Sequence, residues 1–139
     1  MKNENLKNTN DSANLELRVT KMLREIGAPV HFSGYNYIRD AIMLAIDDVY
    51  ARNFITKVIY PEVARKYSTT PSRVERAIRY MIETAWFKGN KAMLDEMFSH
   101  TIKSSGKVTN GQFIAQLADT IRLDMKCAQT AKHPARETV

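Results

Sequence analysis

The sequence predicts an all-α domain of about six helices with a helix-turn-helix at its centre. Three observations carry that expectation. Apolar residues recur at three- and four-residue spacing along most of the chain, and no stretch sustains the period-two alternation of a half-buried strand. Breakers are few, five glycines and four prolines in 139 residues, and several stand where helices are expected to start or stop. Residues 60–89 read as a short helix, a polar turn and a second helix that is basic and amphipathic. A chain of this length suits one domain, able to bury roughly two-thirds of its unfolded surface.

Taken in order, residues 1–14 are rich in Asn, Lys and Asp and are expected to form a disordered arm or linker remnant. The folded domain is expected over 15–126. Its first helix uses Leu15, Val19, Met22, Leu23 and Ile26, is opened by Ser12 or Asn14, and is closed by Gly27 with Pro29 beyond. A second helix over about 35–50 uses Ile38, Ala41, Ile42, Ala45, Ile46 and Val49. Its acidic pair, Asp47 and Asp48, lies in a helical pattern without the βα repeats of a phospho-accepting receiver, and reads as solvated helix charge. The third helix, 60–67, carries Pro61 in its first turn and Ala64, small enough to let a crossing helix approach. After the turn at 68–70 comes the fourth and central helix. Asn90 caps a short fifth helix with Met93, Leu94, Met97 and Phe98, where Met at helical spacing reads as adaptable core. Residues 103–107, K-S-S-G-K, read as a basic loop, either a phosphate contact or a solvated connection. Thr109 to Gln112, T-N-G-Q, is a capping box opening a last helix with Phe113, Ile114, Leu117, Ala118 and Ile121 inward. Residues 127–139 are expected to be a disordered tail.

The central helix places Val74, Ala77, Ile78, Met81, Ile82, Ala85 and Trp86 in one stripe, and Ser72, Arg76, Arg79 and Glu83 opposite them. Arg73 and Tyr80 flank that polar face on one side and Glu75 on the other. Long planar donors on such a face suit base edges or phosphates. Two starts compete: Thr70 as cap with Pro71 in the first helical position, or Ser72 as cap with Glu75 completing a capping box. Between Lys57 and Lys91 there are eight basic residues against three acids, so most of the chain's net +6 lies in this quarter. That is the footprint expected of phosphate neutralisation. The plain alternative is a helical hairpin with a solvated charged face.

Other chemistries find little support. The lone Cys127 cannot form an internal disulfide, which favours a reducing compartment. The N-terminus lacks the apolar core of a signal peptide, and the longest purely apolar run, 41–46, is too short to span a bilayer, so a cytoplasmic, nucleoid-associated protein is expected. His31, His100 and His133 are far apart, with no second His or Cys at ligand spacing, and no P-loop, G-x-S-x-G or H-E-x-x-H motif occurs. No metal, cofactor or catalytic activity is expected.

The stretches G-A-P-V-H-F-S-G-Y-N-Y-I-R-D-A-I (27–42), I-T-K-V-I-Y-P-E-V-A-R-K-Y-S-T-T-P-S-R-V-E-R-A-I-R (55–79), A-W-F-K-G-N (85–90) and T-N-G-Q-F-I-A-Q-L-A-D-T-I-R-L (109–123) resemble the C-terminal effector domains of the master sporulation response regulators of endospore-forming Firmicutes, the stage-zero sporulation protein A family. The resemblance covers about 15–125. It implies a six-helix domain that binds TGTCGAA-like boxes in double-stranded DNA, often as head-to-tail dimers on tandem boxes, and contacts RNA polymerase sigma factors. Position by position it implies base contacts from Glu75, Arg76 and Arg79 and phosphate-proximal positions for Ser72 and Arg73. Lys66, Tyr80, Lys103 and Lys107 are further phosphate candidates.

The departures from the family pattern fall in three places. Tyr80 stands where the family has His, Phe87-Lys88 where it has Ser-Arg, and Ser99-His100 where it has Gly-Tyr. The last two pairs lie where the resemblance implies the sigma-factor surface. Only a short polar arm precedes the domain in these residues, which reads either as an excised effector domain or as a free-standing paralogue of the family's receiver-bearing regulators; in both cases DNA binding free of phosphorylation control is expected, with cooperativity reduced unless the effector domains pair by themselves. The competing expectation is a protein-interaction module that binds sigma factor or the full-length regulator as an antagonist.

Overall fold

A computed structural model describes residues 2–131, with side-chain environments over 11–102 and 106–130. Among the described residues the regular structure is helical throughout: α1 (Lys2–Glu25), α2 (Ser33–Asp47), α3 (Val49–Arg52), a π-helical turn (Ile55–Ile59), α4 (Tyr60–Lys66), α5 (Pro71–Lys88), α6 (Lys91–Met97), α7 (Ser99–Ser105) and α8 (Asn110–Ala131). The six expected helices are present, and the additions are short.

Asp48 is responsible for one addition. It adopts an extended conformation after α2 and its side chain accepts from the Tyr50 backbone N–H at 2.9 Å, capping α3. Val49, expected on the apolar face of the second helix, is turned outward and stays 54% exposed. A further addition is α7, which takes up residues 99–105 and so replaces much of the expected 103–107 loop; Gly106, at φ 72°, ends it.

Two termini also differ from expectation. α1 begins at Lys2 rather than near Leu15, and α8 continues past 126 to Ala131. Neither added stretch contains Gly or Pro, so nothing local stops the helix. Residues 132–139 of the expected tail lie outside the described residues.

α2 is the hub, packing against α1, α5 and α8. Tyr35, Ile38, Ala41, Ile42 and Ala45 are all buried along it. The crossing with α5 is close because Gly34 has no side chain: a Cβ there would lie 2.3 Å from the Ala77 carbonyl oxygen. Beneath α5 the core is aromatic, with Phe98 and Phe113 stacked at 5.3 Å and Trp86 tilted against Phe98 at 5.4 Å.

The π turn before α4 has a local cause. Pro61 has no N–H to give the Lys57 carbonyl and its ring would crowd that oxygen in an α-helix. The preceding turn widens instead, with Tyr60 N–H reaching back to the Ile55 carbonyl.

Candidate nucleic-acid interface

α4 and α5 form the expected helix-turn-helix, joined by residues 67–70. The turn closes α4 by a Schellman pattern: Thr69 N–H donates to Ala64 C=O at 2.9 Å and Ser68 N–H to Arg65 C=O at 3.4 Å. Ser68 takes the left-handed position that glycine usually fills, at φ 52°. Thr70 then accepts from Arg73 N–H at 3.3 Å with Pro71 in the first turn, so the Thr70 start prevails over the Ser72 alternative.

Val74, Ile78, Met81, Ile82 and Ala85 of α5 are buried, which turns Ser72, Arg73, Arg76, Arg79, Tyr80 and Glu83 to the surface. From Ser72 to Glu83 this face runs about 16 Å at 1.5 Å per residue. Ser72, Glu75, Arg76 and Arg79 come together along one cleft of about 360 Å³, whose far wall is Thr56 of the π turn and Tyr60 of α4. Arg79 Nη1 lies 2.9 Å from Glu75 Oε1. Among the described residues the Arg73 and Arg76 guanidiniums make no ion pair, so their donors face solvent.

A second groove, about 610 Å³, continues past Arg79 and Glu83 to Lys107 and the first turn of α8. There the capping box forms as expected: Thr109 N–H donates to Gln112 Oε1 at 2.9 Å and Gln112 N–H to Thr109 Oγ1 at 3.1 Å. Asn110 Nδ2 donates to the Glu75 carbonyl at 2.9 Å and to Tyr60 Oη at 3.1 Å. Burial pushes the Tyr60 hydroxyl pKa above its usual value, the bond from Asn110 acting the other way.

The remaining phosphate candidates differ in surroundings. Lys66 ends α4 with Nζ 2.9 Å from Asp40 Oδ2 of α2, an oxygen that also accepts from Tyr67 Oη. Tyr80 is 60% exposed but stacks on Phe32 with ring centroids 5.3 Å apart, and Phe32 meets His31 edge-on. Lys107 is exposed beside Gly106. Lys103 falls within α7, and its side chain lies outside the described residues.

The expected partner surface lies at the other end of α5. Phe87 is 85% exposed on the rim of an apolar groove of about 680 Å³ that Ile82, Trp86, Ile102 and Val108 also line. Lys88 follows at the helix end, while Ser99 and His100 open α7. Trp86 Nε1 donates to Asp95 Oδ1 at 2.9 Å and Lys91 Nζ approaches Asp95 Oδ2 at 2.7 Å. The Lys91 bond first, and the Trp86 bond second, hold the Asp95 carboxyl below its usual pKa.

Sequence reasoning missed Thr56, Asn110 and the Asp40 anchor. Asn110 was in view as part of T-N-G-Q, but a capping motif says nothing of where its second residue points. Among the described residues no group of His, Cys, Asp and Glu is placed to hold a metal, and no helix is long and apolar enough to cross a membrane. The arrangement offers three guanidiniums, hydroxyls and the Glu75 and Glu83 carboxylates on a convex helix flanked by cations, which can bind an anionic polymer and discriminate hydrogen-bonding edges along it. A family model described as sporulation initiation factor Spo0A, C terminal, matches residues 19–121.

Proposed function

The chain belongs to the Spo0A C-terminal family, a family of DNA-binding sporulation regulators, and from that premise we propose that it reads TGTCGAA-like boxes with α5 in the major groove. The observation that carries this reading is the exposed face of α5, where among the described residues Arg73 and Arg76 are without ion pairs and Arg79 is held by a surface carboxylate. Arg76 and Arg79 pair with guanine O6 and N7, and Glu75 accepts from cytosine N4. Ser72, Arg73, Lys66, Tyr80, Lys103 and Lys107 take phosphates on either side. For Lys66 that contact competes with Asp40, and for Tyr80 only the hydroxyl is offered, since the ring is stacked on Phe32. On tandem boxes two copies bind head to tail.

Phe87 favours a second contact, with protein. A phenylalanine exposed to this degree beside an apolar groove suits a partner's apolar side chain, and RNA polymerase sigma factor is the partner we assign to Phe87, Lys88, Ser99 and His100. If that contact predominates, the chain acts as an antagonist, and its binding varies little with salt.

Fluorescence anisotropy with a duplex carrying two TGTCGAA-type boxes and a scrambled duplex, at two salt concentrations, separates the readings. Arg79→Ala is expected to weaken box binding about tenfold or more and scrambled binding much less, since a bidentate base contact gives about 1–3 kcal/mol of discrimination. The logarithm of affinity should fall with the logarithm of salt by about 0.9 per neutralised phosphate. Equal, weak binding to both duplexes, unmoved by Arg79→Ala, would reject the DNA-reading role.

A further inference from the structure

Asn110 is the first residue of α8, yet it does not cap that helix. Thr109 and Gln112 already exchange both capping bonds, which leaves the Asn110 carboxamide for other work. It turns towards the helix-turn-helix, donating to the backbone carbonyl of Glu75 at 2.9 Å and to Tyr60 Oη at 3.1 Å. One half-buried side chain thus joins the start of α8, the first residue of α4 and the second turn of α5, segments 35 and 50 residues away in sequence.

The place on α5 where this bond lands matters. Glu75 and Arg79 are one turn apart, and in an α-helix the Glu75 carbonyl is the acceptor for the Arg79 N–H. The same carbonyl receives Asn110, so the anchor grips the backbone turn from which both side chains leave. Tyr60 is 5% exposed, so its hydroxyl is a fixed post rather than a mobile one. Turning α5 about its axis, or sliding it, would stretch the bond to Glu75. Readout by bidentate hydrogen bonds tolerates displacements of only about 0.5 Å and 10–20°.

We propose that Asn110 is a positioning residue for base readout: through the Glu75 carbonyl and Tyr60 Oη it fixes the rotation and height of α5 on the rest of the domain. This rests on the DNA-reading role of α5, and the experiment separates the two.

Affinities for the box and scrambled duplexes are compared for the full chain, Asn110→Ala, Tyr60→Phe and Arg79→Ala, with thermal melting of each protein and the salt slope on each duplex. Asn110→Ala is expected to weaken box binding about tenfold, because side chains leaving a displaced α5 turn lose about one good base contact. Scrambled binding should stay within about twofold and the salt slope unchanged, because the phosphate contacts are kept. Tyr60→Phe keeps the ring and one of the two bonds, so it should lower the box-to-scrambled ratio by a smaller factor. A merely structural Asn110 would lower the melting temperature, or reduce both affinities in parallel, without moving that ratio.

An unchanged ratio in folded Asn110→Ala, or parallel losses on the two duplexes, overturns the proposal. Should Asn110→Ala fail to fold, an unchanged ratio in Tyr60→Phe overturns it. If Arg79→Ala also leaves the ratio unmoved, base reading by α5 is wrong and the positioning role falls with it. A drop confined to the Asn110 and Tyr60 variants' box affinity, with Arg79→Ala behaving as a base-contact loss, supports both.

Discussion

Glu75 and Arg79 hold each other at 2.9 Å on an exposed helix face, a pairing worth only about 0.3–0.5 kcal/mol at such spacing. The proposed exchange of this pair for a guanine edge would therefore cost Arg79 little, and in the free protein Glu75 restrains the guanidinium. Glu75→Gln removes that restraint and one negative charge from the α5 surface. Binding to a scrambled duplex should strengthen about two- to fivefold and box discrimination should fall, both read by anisotropy at fixed salt. Tyr67 supplies a test on a different axis. Burial, and then the bond to Asp40, push its pKa from 10.0 up to about 12. The folded value is the higher, so the contribution to stability is whole below pH 10 and is lost as the pH rises through about 12. Urea unfolding across that window should show the wild-type protein weakening, and Tyr67→Phe should weaken less.

Among the elements, the turn between α4 and α5 is the most exactingly shaped. Ser68 occupies a left-handed conformation at φ 52° so that Ala64 and Arg65 can receive the Schellman bonds that close α4. For a residue with a Cβ this conformation costs about 1–2 kcal/mol, partly offset in glycine by its greater loss of backbone freedom. Ser68→Gly should raise the unfolding free energy by about 0.5–1 kcal/mol without altering DNA affinity, whereas a β-branched Ser68→Val should lower it. Thermal or denaturant unfolding checks both. The caps were legible because capping is local: Thr70, Gly27 and the Thr109–Gln112 box each bond within five residues along the chain, and Pro71 fits a first helical turn because it has no N–H to satisfy. The break at Asp48 was not legible, because an aspartate between two helical stretches reads equally as a solvated helix residue or as a cap. The π turn was missed too, since Pro61 announces a helix start without saying how the preceding turn accommodates it.

At the scale of the molecule, the position of α5 depends on α2 beneath it. A methyl at Gly34 would meet the Ala77 carbonyl at 2.3 Å, and that oxygen belongs to the backbone of α5. Gly34→Ala should destabilise the fold by about 1–3 kcal/mol, as overpacking does. It should also lower box discrimination more than scrambled binding, because the displaced element is the one proposed to read bases. Lys66 is tied to the same scaffold, since its partner Asp40 lies on α2. Asp40→Asn should loosen Lys66 and strengthen binding to any duplex modestly, by about threefold or less, through one more available cation.

Sequence alone determined the helical class, the stripe that buries Val74, Ile78, Met81, Ile82 and Ala85, the basic face opposite, and the capped starts of α6 and α8. These follow from relations between residues a few positions apart, and such relations are visible in a linear string. Tertiary structure decided that Arg79 has an ion-pair partner while Arg76 has none among the described residues, that Lys66 leans on Asp40, that Tyr80 stacks on Phe32, and that Asn110 grips the carbonyl of Glu75. The Arg79 pairing is permitted by helical spacing but chosen by the surrounding surface. The other three join residues that meet only after helices cross, and the angle and height of each crossing are set by the packing of buried side chains across the whole core.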